Sequence, residues 1–181
     1  MDKDIRMNIA MTGQRPKSLD QDYTYTSDLW VWVRKELTST FTKMNPQKII
    51  TGMALGVDTV AAEVALTMEI PYIAAVPFPG QENTWTDEQK IHYNHLLNWA
   101  EDVEFVSDAN DHKGVYQVRN QWMVDRADIV VAVWNGFKGG TRNCIEYAIR
   151  KEVPVWRLDP TTKKIGRYDG TKHIVKELAG A

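Results

Sequence analysis

One cysteine, Cys144, stands in the 181 residues, so no disulfide can close within the chain and a reducing compartment suits it. No apolar run approaches the length of a membrane span. The start, Met1-Asp2-Lys3-Asp4, lacks the apolar stretch of a signal peptide, and a cytoplasmic protein is expected. An excess of one charge is lacking too: 22 Lys and Arg face 24 Asp and Glu, for a net charge of −2. Without a broad basic field, the balance argues against nucleic acid as a partner, and no membrane partner is expected. Linkers, repeats and low-complexity stretches are absent as well. What remains, 43% hydrophobic and 25% charged, suits one compact domain with a full core.

Signatures of catalysis are equally sparse. The chain has no Gly-x-Ser-x-Gly elbow. His92, His95, His112 and His173 lack metal-ligand spacing, so neither a metal nor a cofactor is called for. Cys144 falls inside a helical pattern, where a packed and inert thiol is the usual outcome. Glu63, Glu82, Asp125 and Glu146 are available as acids or bases, but nothing in the sequence fixes their geometry.

Short β-type runs do recur: Ile5 to Met11, Lys48 to Thr51, Pro71 to Val76, Val103 to Val106, Ile129 to Trp134 and Val153 to Leu158. Helical patterns lie between them. Ser27 to Phe41 places Leu29, Trp32, Val33 and Leu37 on one face, with Ser27 or Asp28 as N-cap. Thr59 to Met68 is nearly all apolar and reads as a buried helix. Thr86 to Trp99 sets Ile91, His95 and Leu96 roughly on one side. Val115 to Ala127 and Thr141 to Arg150 complete the set. Strands alternating with helices predict a mainly parallel sheet covered on both faces, an α/β Rossmann-like three-layer sandwich. Residues 1–160 form that domain. Residues 161–181 are a polar extension, packed on it or trailing it, with a β-excursion and a short helix-like end.

In such folds ligands bind beyond the carboxyl ends of the strands. Thr51 to Glu63 is the most informative stretch, because two glycines, Gly52 and Gly56, sit where a strand hands over to a helix. Gly52 and Met53 offer backbone to a ligand. Asp58 either caps the helix or accepts from a ribose hydroxyl. No lysine follows the second glycine, so this is not a Walker A loop, nor does the spacing fit the three-glycine dinucleotide fingerprint. Thr12, Gly13 and Arg15 follow the first strand, and a guanidinium there suits phosphate.

Trp134, Asn135 and Gly136 follow the strand at Ile129, and Gly139, Gly140 and Thr141 lead into a helix whose start suits an anion. The loop with Pro77, Phe78 and Gln81 either stacks and bonds a base or packs against the sheet edge. Arg119, Asn120 and Met123 share a helix with Arg126. They either serve the site or belong to an amphipathic helix with solvated charges. Trp30, Trp99 and Trp156 read as core or subunit-interface residues.

Taken in order, these residues form a series. It runs Thr12-Gly13-x-Arg15-Pro16, then Gly52-Met53-Ala54-x-Gly56-x-Asp58-x-x-Ala61-Ala62-Glu63, then Pro77-Phe78-x-x-Gln81 and Trp85. Arg119-Asn120-x-x-Met123-Val124-Asp125-x-Ala127-Asp128 and Gly139-Gly140-Thr141 complete it. The series resembles the YpsA/YspA-type branch of the SLOG superfamily over about Ile9 to Pro160. The resemblance implies a Rossmann-like fold that binds nucleotides or nucleotide-derived ligands. Superfamily relatives include LOG proteins that hydrolyse cytokinin nucleotides, DprA that binds single-stranded DNA, and sensors of cyclic nucleotide-type signals in bacterial and phage defence. LOG proteins carry Pro-Gly-Gly-x-Gly-Thr-x-x-Glu. Here the acid three residues after Thr141 is Cys144, and Glu146 lies two residues further on.

Three functions follow as expectations. The first is a non-catalytic protein that senses or sequesters a phosphorylated nucleotide or nucleotide-derived signal. The second is a LOG-like nucleotide N-glycosidase or phosphoribohydrolase, which needs a carboxylate near the ribose and Arg15 or Arg119 on the phosphate. The third is an interaction module with a vestigial pocket, for which seven tryptophans supply aromatic surface. A homo-oligomer is expected, partly because superfamily members commonly dimerise.

Overall fold

A computed structural model of the chain describes residues 7–108 and 114–175. Six parallel strands form the body of one sheet: β1 (Asn8–Gly13), β2 (Lys48–Thr51), β3 (Tyr72–Val76), β4 (Asp102–Phe105), β5 (Ile129–Val133) and β6 (Val155–Leu158). Two antiparallel strands, β7 (Ile165–Tyr168) and β8 (His173–Val175), extend it. The spatial order is β4-β3-β2-β1-β5-β6-β7-β8. The chain therefore walks outward from β1 to β4, returns to the other side of β1, and walks outward again. The switch falls between β1 and β5, whose carboxyl ends are where a doubly wound sheet opens a crevice.

Helices α1 (Asp28–Met44), α2 (Val57–Thr67) and α3 (Asp87–Trp99) pack together on one face. Helices α4 (Val115–Val124) and α5 (Gly140–Arg150) pack together on the other. Strand residues alternate between the two cores. Ile9, Met11, Val131 and Val133 join Trp30, Leu37, Val60 and Tyr93. Ala10, Val130 and Ala132 join Met123, Ile145 and Ala148. This is the period-2 pattern of a sheet buried on both sides.

Several sequence-predicted faces are corrected. In α1 the buried row is Trp30, Val33, Leu37 and Phe41, spaced three or four apart, rather than one containing Leu29 and Trp32. Ser27 is the N-cap by position, but its hydroxyl donates to Asp20 instead of capping. In α3 the buried residues are Tyr93 and Leu96, whereas Ile91 and His95 face solvent. Trp30 and Trp156 are buried, but Trp99 is exposed. The expected β-excursion after Thr161 is the β7–β8 extension, with the four residues of β7 paired to β6. The expected start of the first strand at Ile5, His112 and the helix-like end lie outside the described residues. Among the described residues no helix is long and apolar enough to cross a membrane.

Candidate functional site

The crevice at the switch point is a cleft of about 180 Å³. Its back wall is the end of β1 and the residue after β5. Gln14 and Asn135 clasp each other across that gap. The Gln14 amide donates to Asn135 Oδ1 at 2.7 Å, and the Asn135 N–H donates to Gln14 Oε1 at 2.9 Å. A buried amide, Gln14, and a half-buried one, Asn135, thereby pair across the crevice.

The floor is ionic. Asp58, in the first turn of α2, is 6% exposed, and Arg119 of α4 is 5% exposed. Both line the cleft. Asp58 Oδ2 accepts from the Ala54 N–H at 3.3 Å. The Arg119 guanidinium donates to the Gly52 carbonyl and to Asn120 Oδ1, the latter at 3.0 Å. Burial pushes the Asp58 carboxyl above the ordinary Asp range, and the charge of Arg119 works against that rise. Burial likewise lowers the Arg119 guanidinium, with Asp58 opposing. Gly52 is required here, because a Cβ on it would lie 2.1 Å from Arg119 Nη1. Gly56 is required too: its φ is +106° and a Cβ would meet the Gln14 carbonyl at 2.6 Å.

The rim is cationic and aromatic. Arg15 is exposed and its guanidinium lies 5.3 Å from the centre of the Tyr116 ring. Lys138 and Phe137, the latter 71% exposed, stand opposite beside Gly139, Gly140 and Thr141. A Cβ on Gly139 or Gly140 would meet nothing within 4 Å, so the start of α5 is open to the cleft. The first N–H groups of α5 have no acceptor within the helix, and the helix dipole adds to their pull on an anion. Asn120 steadies this corner by donating to the Gly140 carbonyl at 3.4 Å.

The structure thus brings together Thr12, Gly13, Arg15, Asp58, Arg119, Asn120, Trp134, Gly139, Gly140 and Thr141. The other sequence candidates stand elsewhere. Gly52 lies beneath Arg119, and Gly56 is covered by the Gln14–Pro16 turn. Met53 and Met123 are core residues. Gln81 turns inward to donate to the Met53 carbonyl and to Tyr93 Oη, each at 3.3 Å. Pro77 and Phe78 are buried, and Phe78 meets Tyr116 edge-on at 5.9 Å, so the Pro77 loop packs on the protein. Asn135 serves as the clasp. Gly136 lies near Arg157.

Asp58 is not a helix cap, since Gly56 holds that position. Arg126, expected beside Arg119, lies over the Trp122 ring at 4.0 Å instead. Gln14, Ser18, Ala54, Tyr116, Phe137 and Lys138 also line the cleft and were missed. Phe137 and Lys138 sat within a glycine loop already singled out. Tyr116 carried no local signal beyond its place at a helix start.

The four carboxylates considered as acids or bases do not line this cleft. Glu146 pairs with Arg142 at 2.7 Å and Asp125 accepts from Tyr147 Oη at 2.8 Å. Glu63 lines a separate cavity with Arg34 and His92. Glu82 follows Gln81 in the packed loop. Cys144 is fully buried, and burial pushes its thiol up to about 12, so it is no substitute for an acid.

The family model of the YspA SLOG family matches residues 9–158. The SPbeta prophage-derived protein YoqJ of Bacillus subtilis (strain 168) is 34% identical over 137 residues, covering 66% of this chain and 80% of that one. The UPF0398 protein of Bacillus thuringiensis (strain Al Hakam) is 26% identical over 153 residues, covering 80% and 83%. Among solved structures, DprA of Streptococcus pneumoniae superposes with a TM-score of 0.63 at 16% identity, covering 85% of this chain and 50% of that one. This chain therefore spans half the length of that protein. DprA of Helicobacter pylori, described by its single-stranded DNA binding mode, gives 0.56 at 19% identity, covering 84% and 65%.

The molybdenum cofactor binding protein of Rippkaea orientalis gives 0.53 at 18% identity, covering 84% and 76%. The expectation against nucleic acid is corrected by these likenesses. A protein of this fold binds single-stranded DNA, so net charge alone does not decide the partner. The match over most of the chain settles kinship: the chain belongs to the YspA SLOG family.

Proposed function

We propose that the cleft binds a phosphorylated nucleotide or a nucleotide-derived molecule and holds it as a sensor or sequestering protein does. One observation carries this reading: the open start of α5, Arg15, Lys138 and two exposed rings, Tyr116 and Phe137, converge on one crevice at the β1/β5 switch. Helix-start N–H groups and a guanidinium suit a phosphate, and the rings suit a planar base. Calorimetry against a panel of mononucleotides, cyclic nucleotides and a single-stranded oligonucleotide tests it. Micromolar binding of a mononucleotide supports the reading. Silence of the whole panel at millimolar concentration removes it.

A second reading is supported by Asp58. Hydrolysis of an N-glycosidic bond needs a carboxylate near the sugar, and Asp58 lines the cleft where Glu63, Glu82, Asp125 and Glu146 do not. Chromatographic release of free base from a nucleoside monophosphate, lost in Asp58→Asn, is the result that would favour it. Self-association would use the exposed Ile91 and Trp99 of α3 and Phe105 of β4. A single monomeric mass by light scattering at high concentration would argue against it.

A further inference from the structure

The cleft divides by charge. Its rim offers Arg15, Lys138 and the start of α5, all suited to an anion. Its floor offers a carboxylate, Asp58, that no cation approaches within ion-pair distance among the described residues, with Arg119 committed to Gly52 and Asn120. One Asp58 oxygen accepts from the Ala54 N–H, and the side chain still contributes to the cleft surface. A buried carboxylate takes hydrogen-bond donors and repels phosphate oxygens, so the phosphate belongs at the rim. A neutral donor attached near that phosphate suits the floor. In a nucleotide the atoms next to the phosphate are those of the sugar, and its hydroxyls are donors.

We infer that Asp58 selects ribose over deoxyribose by accepting from the sugar's hydroxyls, which makes the ligand a ribonucleotide. This rests on the nucleotide reading above and narrows it. A site built to bond a hydroxyl discriminates strongly against an analogue lacking it, because the buried acceptor is then left unpaired. Arg119 is a positioning residue. It anchors the turn at Gly52 that presents Asp58, and its charge favours the ionised carboxylate.

The experiment is calorimetry on the full chain with inorganic phosphate, ribose 5-phosphate, the common ribonucleoside 5′-monophosphates and their 2′-deoxy and 3′-deoxy counterparts. UMP is paired with dUMP so that no methyl group intrudes, and IMP is set beside AMP. The expected result is a loss of about tenfold or more in affinity on removing the 2′-hydroxyl, whatever the base. In Asp58→Ala that ratio falls below about threefold. Asp58→Asn, which keeps the shape, narrows it without unfolding the chain, as circular dichroism checks. Phosphate affinity stays level or improves in both variants.

If ribo and deoxy probes bind equally, or if affinity follows the amino group that separates AMP from IMP, the role of Asp58 is overturned while the nucleotide reading stands. If no probe binds, the ribose inference falls, and the nucleotide reading falls with it only when cyclic nucleotides and the single-stranded oligonucleotide are silent too. A wild-type preference that persists in Asp58→Ala assigns the selection to another residue and overturns the inference.

Discussion

Arg119 occupies the space that any side chain on residue 52 would need. In Gly52→Ala the new methyl would sit 2.1 Å from Nη1 and 2.4 Å from Cζ, so the guanidinium must leave the Gly52 carbonyl or the turn must open. Overpacking together with a displaced buried charge should cost about 2–4 kcal/mol, measured by urea denaturation. A midpoint equal to wild type would show that the guanidinium is not held there. Arg15 acts at the exposed rim, so its substitution should spare folding. Arg15→Ala is expected to weaken nucleotide binding by about 1.5–3 kcal/mol, the range for a charge-assisted hydrogen bond. An unchanged affinity in calorimetry would move the phosphate away from Arg15.

Glu63 reports on pH. Burial works to raise its carboxyl, but the hydrogen bond from His92 and the charge of Arg34 outweigh it and hold Glu63 below the usual glutamate range. A carboxyl depressed in the folded state adds stability above its unfolded value and loses it as pH falls through the folded one. His92 lies 3.3 Å and Arg34 3.4 Å from its oxygens, and the pairs are partly solvated, so the effect is small. Glu63→Gln should cost about 0.5–1 kcal/mol at pH 7. That difference should shrink towards zero as pH is taken below the carboxylate range. A gap that persists in acid would place its origin in packing.

At the scale of elements, the β7–β8 extension is the piece whose contribution can be isolated. β7 hydrogen-bonds along β6, and Asp159 accepts from the Thr161 and Thr162 N–H groups to turn the chain between them. Tyr168 meets Trp134 edge-on at 5.5 Å, which ties the extension to a residue of the cleft. A chain ending at Pro160 should keep its far-ultraviolet spectrum, because the six parallel strands and their helices remain. It should nonetheless melt earlier and bind nucleotide more weakly, since β6 becomes an open edge and Trp134 loses a neighbour. Full affinity in the truncated chain would show that the extension is independent of the cleft.

Elements were legible where periodicity was strong and ambiguous where one face had to be chosen. The β1, β2, β3, β5 and β6 runs are apolar on both sides, so their existence could be read but not which neighbour each would take. The inward face of α3 is not legible in the sequence because Ile91 and Leu96 are both apolar, and only the position of α2 makes Tyr93 turn inward beside Leu96. In the cleft, glycines and arginines stood out by type. Gln14 and Tyr116 did not, because their importance comes from residues more than a hundred positions away or from a helix whose placement is tertiary. Gln81 misled for the same reason: an amide beside an aromatic loop looks like a base reader until Met53 and Tyr93 are seen to use it.

For the whole molecule, a strand order that reverses at β1 leaves a crevice in the middle of the sheet, spanned by the Gln14–Asn135 clasp. A ligand seated there touches elements from both halves: the β1 turn and α2 on one side, and α4 and α5 on the other. Binding should therefore stabilise the fold as a unit instead of quieting one loop. At a ligand concentration a hundred times the dissociation constant, mass action contributes about 2.7 kcal/mol. For a domain of this size each kcal/mol raises Tm by about 2–4 °C, so a rise of about 5–11 °C is expected for the ligand that fits.

The same scan separates a mononucleotide from a long strand. Among the described residues that line the cleft the cations are Arg15, Arg119 and Lys138, and Arg119 is committed to Gly52 and Asn120, so a strand confined to the cleft would meet Arg15 and Lys138 at its rim. Affinity for an oligonucleotide held in the cleft alone should then fall with salt along a slope of about −1.4 or shallower, as about two counterions are released. A steep slope would mean that a strand is tracked across the surface beyond the cleft. The combination of a large thermal shift with a mononucleotide and a shallow salt slope with an oligonucleotide is what a self-contained crevice at the β1/β5 switch requires.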